Sequence, residues 1–123
     1  MNTYESAENY LETILVLQNR LGEVRSVDIV NELDFTRPSV SVAMKKLRES
    51  GRITMDKDGY IALTESGLKT AQRMLERHTL LTGFLTSLGV DAQTAAKDAC
   101  RIEHVISEES FEKILDFVSK RRA

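Results

Sequence analysis

The sequence predicts a mainly α chain: an N-terminal winged helix-turn-helix, of three helices plus a β-hairpin wing, followed by a three-helix module. Three observations predict it. Apolar residues recur at helical spacing through most of the 123 residues, which contain one Pro and six Gly. Between Ser26 and Ser50, two short helical stretches are joined by the few residues around Asp34-Phe35-Thr36, the spacing of a helix-turn-helix. Directly after them, two β-prone runs between Arg52 and Thr64 flank Asp58-Gly59, a strong hairpin signal.

The first helix is expected from about Tyr4 to Arg20, capped by Asn2 with Glu5 three residues on, and ended by Gly22. Its apolar stripe is Ala7, Tyr10, Leu11, Ile14, Leu15 and Leu17. Ser26 is the expected cap of a short helix that carries Ile29, Val30 and Leu33 inward. Thr36 opens the next, with Pro38 in a first turn that has no use for its missing N–H. There Val40, Ala43, Met44 and Leu47 follow the helical period, and Gly51 supplies a left-handed stop. After the wing, Thr64 caps a long helix reaching about Leu88, with Leu68, Ala71, Leu75, Leu81 and Leu85 on its buried side. Asp91 caps a helix with Ala95, Ala99, Ile102 and Ile106 inward. Ser107 starts the last helix, whose apolar face is Phe111, Ile114, Leu115 and Val118. Glu108 and Glu109 in its first turn, and Lys120, Arg121 and Arg122 in its last, suit the helix macrodipole. A domain boundary is expected after Thr64, giving domains 1–64 and 65–123.

Composition narrows the class. Hydrophobic residues at 41% and charged residues at 29% fit a soluble globular chain and exclude a disordered one. Lys plus Arg is 17 and Asp plus Glu is 19, a net charge of −2, which excludes a uniformly cationic nucleic-acid coat but not a local basic patch. The single Cys permits no internal disulfide and points to a reducing compartment. The apolar runs are far shorter than the ~18 residues of a spanning helix, and the polar start is no signal peptide. A cytoplasmic chain without membrane contact is expected.

The positive charge is concentrated on the second helix of the helix-turn-helix. From Thr36 to Arg52, five basic residues (Arg37, Lys45, Lys46, Arg48, Arg52) face one acid, Glu49. Such a helix enters a major groove by its N-terminal residues, with the wing beside it. Thr36, Ser39 and Ser41 are short hydroxyls able to reach phosphates or base edges, and Val42 can offer apolar contact to a thymine methyl. Arg25 and Pro38 complete the candidate DNA-facing set of Arg25, Thr36, Arg37, Pro38, Ser39, Ser41, Val42, Lys45, Lys46 and Arg48. A solvated helix face accounts for the charge alone; the helix-turn-helix with a wing favours DNA.

Cys100, Glu103 and His104 fall at i, i+3 and i+4, so one helix turn presents a thiol, a carboxylate and an imidazole together. That donor set suits a divalent transition metal. His78 on the long helix, and Glu12 and Asn9 on the first, are further candidates. Each has a plainer reading: a hydrogen-bonded core His, a Cys acting as a small hydrophobe, a solvated Glu. Spacing alone leaves both readings open.

The stretches Asp98–Ser107, Ala7–Ile14 and Glu76–Leu81 resemble the iron- and manganese-dependent repressors, the diphtheria toxin repressor family that includes the manganese transport regulators. The resemblance runs over almost the whole chain, whose length looks like that of the manganese branch. It implies a homodimer, closed by the C-terminal helices, that binds a palindromic operator when charged with Fe(II) or Mn(II). Carried over, Cys100, Glu103 and His104 match primary-site ligands of the iron repressors, and Glu12, His78, Glu103 and His104 match ligands of the manganese regulators. Asn9 stands where iron repressors have Met and manganese regulators have Asp. Thr82 and Ala96 replace the ancillary Glu and His of iron repressors, and Cys100 replaces a Glu of manganese regulators. The implied site is a hybrid. A thiolate is softer than a carboxylate and shifts preference from Mn(II) towards Fe(II), and further towards Zn(II).

The implied function is a metal-dependent transcriptional repressor of metal-homeostasis genes. The alternative is a metal-independent or redox-sensing winged-helix regulator. A metallohydrolase is disfavoured: there is no Gly-rich phosphate loop and no separate base, and the helix-turn-helix would serve no purpose. The chain therefore reads as a regulator and not an enzyme.

Overall fold

A computed structural model of the chain describes residues 6–122, with side chains through Lys120. The expected Asn2 cap with Glu5, the start of the first helix at Tyr4, and the charges of Arg121 and Arg122 lie outside that description. The chain forms two compact units, the first ending at Arg73 and the second beginning at Met74.

The first unit contains α1 (Ala7–Leu21), α2 (Ser26–Leu33), α3 (Arg37–Glu49), β1 (Ile53–Met55), β2 (Ile61–Leu63) and the opening turns of α4 (Glu65–Ser87). Ser6 caps α1, its side chain accepting from the Asn9 N–H at 3.1 Å. The expected cap of α2 moves by one residue. Arg25 is the N-cap and Ser26 the first helical residue, because the Asp28 carboxylate accepts from the Arg25 N–H at 2.8 Å and closes that end from inside the first turn. Asp34 ends α2 in the left-handed region at φ +56°, a conformation Asp tolerates better than most residues. Thr36 then caps α3, with Pro38 in its first turn.

The wing is an antiparallel pair with Ile53 opposite Leu63 and Met55 opposite Ile61. Its turn is longer than an isolated Asp-Gly pair would make. Asp56 N–H donates to Tyr60 O at 3.0 Å, leaving Lys57, Asp58 and Gly59 as the loop, with Gly59 at φ +85°. A three-residue loop of this kind needs its last residue left-handed, which glycine supplies. The Asp56 carboxylate accepts from the Asp58 and Tyr60 N–H groups, both at 2.9 Å. Ile61 also bonds back to Val24 O at 2.8 Å, tying the α1–α2 connection to the wing.

One core joins these elements: Leu11, Ile14 and Leu17 of α1, Ile29 and Leu33 of α2, and Val40, Met44 and Leu47 of α3, with Val24, Ile53, Ile61 and Ala71. The Thr64 hydroxyl accepts from the Gly67 N–H at 3.3 Å and donates to Gly51 O at 2.7 Å. A Cβ at position 67 would collide with the Arg52 carbonyl. With Ala71 also in this core, packing extends the first unit past Thr64 into α4.

The second unit contains the rest of α4, α5 (Ala92–Val105) and α6 (Glu108–Arg122). Asp91 caps α5, and the Ser107 hydroxyl accepts from the Ser110 N–H at 3.0 Å at the start of α6. The buried line of α4 runs through Ala71, Met74, Arg77 and Leu81; Leu68, Leu75 and Leu85, expected inward, are half-buried, with Met74 and not Leu75 in the inner position. On α5 the fully buried residues are Ala95, Ala99 and Glu103, spaced by four. Among the described residues, no helix is long and apolar enough to cross a membrane.

Candidate metal centre and nucleic-acid interface

Two small alanines let α5 pack closely and carry its fourth-spaced position inward, and that position holds a carboxylate. Glu103 is 0% exposed, although an isolated helix Glu is ordinarily solvated. Its Oε2 lies 3.1 Å from His78 Nδ1 on α4, and its Oε1 lies 3.4 Å from His104 Nε2 one residue along α5. The Cys100 thiol is one turn earlier and half-buried. One donor atom each from Cys100, Glu103 and His104 lies within 4.8 Å of the others.

These residues fit a divalent ion. Ligand atoms sit about 2.0–2.3 Å from a bound zinc-like ion, so its shell spans up to about 4.5 Å. Closing the cluster on an ion therefore needs only small side-chain adjustments. A buried carboxylate is costly without compensating charge or hydrogen bonds, and a cation between it, an imidazole and a thiolate supplies that compensation. Of the other candidates, Asn9 and Glu12 are buried on α1 in the first unit, at 4% and 7% exposure. Thr82 and Ala96, where iron repressors carry ancillary ligands, are half-buried here.

On the first unit, the candidate DNA-facing residues share exposure. Arg25, Thr36, Arg37, Pro38, Ser41, Val42, Lys45, Lys46 and Arg48 are exposed, and Ser39 is half-buried, its N–H donating to Thr36 Oγ1 and its hydroxyl accepting from it. An open cleft of about 300 Å³ between the start of α1 and α3 has Ser39, Val42 and Lys46 on its wall. Arg25 does more than present a charge: its guanidinium lies 4.3 Å from the centre of the Tyr60 ring, which joins the start of α2 to the wing. Tyr60 is a residue that sequence reasoning missed. The only signal for it was an aromatic beside the wing glycine. Arg77 of α4, whose guanidinium bonds the Glu103 carbonyl, was missed as well; it stands one residue before His78 and gives no local signal.

Regulators that join a DNA-reading winged helix to a transition-metal centre are the class that this pairing of units defines. The chain belongs to the iron-dependent repressor family: residues 2–65 match its N-terminal DNA-binding domain, and residues 64–122 match its metal-binding and dimerisation domain. It is a DNA-binding, metal-dependent transcriptional repressor of that family, with a domain through which such chains dimerise. It is 36% identical over 119 residues to the transcriptional regulator MntR of Escherichia coli O6:H1, covering 97% of this chain and 77% of that protein. To the HTH-type transcriptional regulator MntR of Listeria monocytogenes serotype 4a it is 36% identical over 113 residues, 92% of this chain and 80% of the relative. The fold matches that of the manganese regulator SloR with a TM-score of 0.85 and 26% identity, over 95% of this chain and 55% of SloR. It matches a manganese-dependent transcriptional repressor in complex with manganese at 0.81 and 28% identity, over 89% of this chain and 50% of the other. The chain thus spans about half the length of these two solved structures.

Proposed function

We propose that this chain, as a cytoplasmic homodimer charged with Fe(II) or Mn(II), binds a palindromic operator and represses metal-homeostasis genes. The observation that carries the reading is the buried carboxylate of Glu103, set between His78 and His104 and one turn from Cys100. Cys100, Glu103, His104 and His78 are the residues assigned to hold the ion. Glu12 and Asn9 are carried as further ligand candidates on the family resemblance alone. The ion supplies a fixed divalent charge and directed coordination. The protein's part is to deliver a deprotonated thiol and neutral imidazoles, so uptake releases protons. The thiolate favours Fe(II) over Mn(II).

In this reading residues 1–64 contact DNA and residues 65–123 hold metal and the dimer. The ten residues from Arg25 to Arg48 named above form the DNA surface, with α3 in the major groove. Two copies related by a two-fold axis read two half-sites about one helical turn, ~34 Å, apart, which is why the operator is palindromic. The chain is a regulator and not an enzyme: its metal donors serve to hold an ion, and the outer face of α3 carries the cationic charge that meets DNA.

Selection from random double-stranded DNA tests the whole proposal. Protein with Mn(II), protein with Fe(II) under anaerobic conditions, and protein with chelator are run side by side. The expected result is enrichment of an inverted repeat in the metal-loaded arms alone. Equal enrichment in chelator would overturn metal dependence, and enrichment of a non-repeated site would overturn the palindrome.

A further inference from the structure

Arg77 is 7% exposed, so its charge is almost wholly withdrawn from water. Burial of that kind is costly unless the guanidinium is well paired. Its buried Nε finds no hydrogen-bond partner among the described residues, and the pairing falls to its two terminal nitrogens. Its Nη1 donates to the carbonyl oxygens of Glu103 and Ile106, each at 3.1 Å. Its Nη2 donates to Glu108 Oε2 at 2.8 Å, and the guanidinium carbon lies 5.2 Å from the centre of the Phe111 ring. Ile106 is the C-cap of α5, extended at ψ 139°, and Glu108 opens α6. The last carbonyls of a helix have no partner within it, and Glu103 O is among them. A cation there also suits the negative end of the helix dipole. Arg77 is therefore a cap for α5, delivered from another helix.

The cap falls on one residue in particular. Arg77 and His78 are consecutive on α4, and they hold Glu103 at both ends: Arg77 by its main-chain carbonyl, His78 by its side-chain carboxylate. We propose that Arg77 is the positioning residue of the metal centre, fixing the Glu103–His104 turn so that its donors converge with Cys100 before any ion arrives. The inference rests on the metal reading above. Arg77 acts through the backbone of the turn, by way of the Glu103 main-chain carbonyl.

Co(II) titration of the metal-stripped full chain tests this, read by visible d–d bands and the near-ultraviolet thiolate-to-cobalt absorption. Arg77→Gln is expected to bind Co(II) about 10- to 100-fold more weakly, the usual loss when a supporting contact behind a ligand is removed, with altered bands. Arg77→Lys restores a charge but not the planar fork, so it recovers part of the affinity and spectrum. Glu108→Gln removes only the arm that ends on a side chain 62% exposed, and stays within about fivefold of wild type. Absence of Co(II) uptake by the wild type would sink the metal reading itself. With the wild type binding normally, an Arg77→Gln protein of equal affinity and spectrum overturns the positioning role. A loss in Glu108→Gln as large as in Arg77→Gln overturns it as well, assigning the effect to general helix packing. Should Arg77→Gln fail to fold, Arg77→Lys decides: unchanged affinity and spectrum there overturn the proposal.

Discussion

Glu103 concentrates the chemistry of the second unit, because a carboxylate shielded from water raises the stakes of every neighbouring group. His78 and His104 approach its two oxygens from different helices, so loss of the anion removes what both imidazoles face. Glu103→Gln preserves size and polarity while deleting the charge. It is expected to stay folded, to bind Mn(II) or Fe(II) at least about 10-fold more weakly, and to lose the metal response of DNA binding. Metal titration of the purified variant, with DNA anisotropy alongside, checks both halves; full metal activation in Glu103→Gln would refute the site. In the same cluster, Cys100 is the soft donor to which the proposed function assigns metal selectivity. Cys100→Glu exchanges a soft donor for a hard one, so the affinity ratio is expected to move towards Mn(II) and away from Fe(II) and Zn(II) in anaerobic competition experiments. An unchanged ratio would mean that the thiol is not a ligand. The triplet spacing on α5 was readable in advance, since three donors within one turn need only helical periodicity. The burial of Glu103 was not, because α4, with His78 25 residues away along the chain, had to be placed first.

At the scale of elements, α3 has two faces, Val40, Met44 and Leu47 buried while Lys45, Lys46 and Arg48 are exposed, and the proposed function sets the basic face against DNA. Lys45→Ala or Lys46→Ala is expected to weaken binding about equally on all DNA sequences and to lower the salt slope by roughly one unit per lost phosphate contact. Salt titrations over the range 50–200 mM, where such contacts lose most affinity, measure it; an unchanged slope in both variants would displace α3 from the backbone. The start of α4 makes a different demand. Gly67 lies against the Arg52 carbonyl, a backbone atom that cannot rotate aside. Gly67→Ala is therefore expected to destabilise the first unit by about 1–3 kcal/mol despite the better helix propensity of Ala. Denaturant unfolding reads that sign directly. Caps such as Thr36 are legible as local chemistry, whereas the cap of α2 is Arg25, whose N–H donates to the Asp28 carboxylate.

For the molecule as a whole, the second unit keeps Leu88, Val105 and Phe117 exposed at 66%, 74% and 49% in a single chain. Apolar residues left in water on a metal-binding and dimerisation domain are natural material for a subunit interface. Sedimentation at micromolar concentration is expected to show a dimer with or without DNA, and a monomer would remove the basis for a palindromic operator. Metal and DNA binding must then be coupled reciprocally. If metal tightens DNA binding by some factor, DNA tightens metal binding by the same factor, and about 1–3 kcal/mol, roughly 5- to 150-fold, is the usual range. Measuring metal affinity with and without the selected operator tests that equality.

Helix periodicity, the turn between α2 and α3, the wing glycine, the local excess of positive charge and the donor triplet of α5 are all properties of neighbours in the chain. Local backbone chemistry acts over a few residues, so the amino-acid order settled them without help. The fate of a polar side chain is different, since it depends on what arrives from distant segments to exclude water. Only packing decided that Glu103 is fully buried, that Met74 and not Leu75 turns inward, that Arg25 rests on Tyr60, and that Arg77 closes the end of α5. Each joins residues on different elements, and desolvation, being collective, has no signature in a single stretch of sequence.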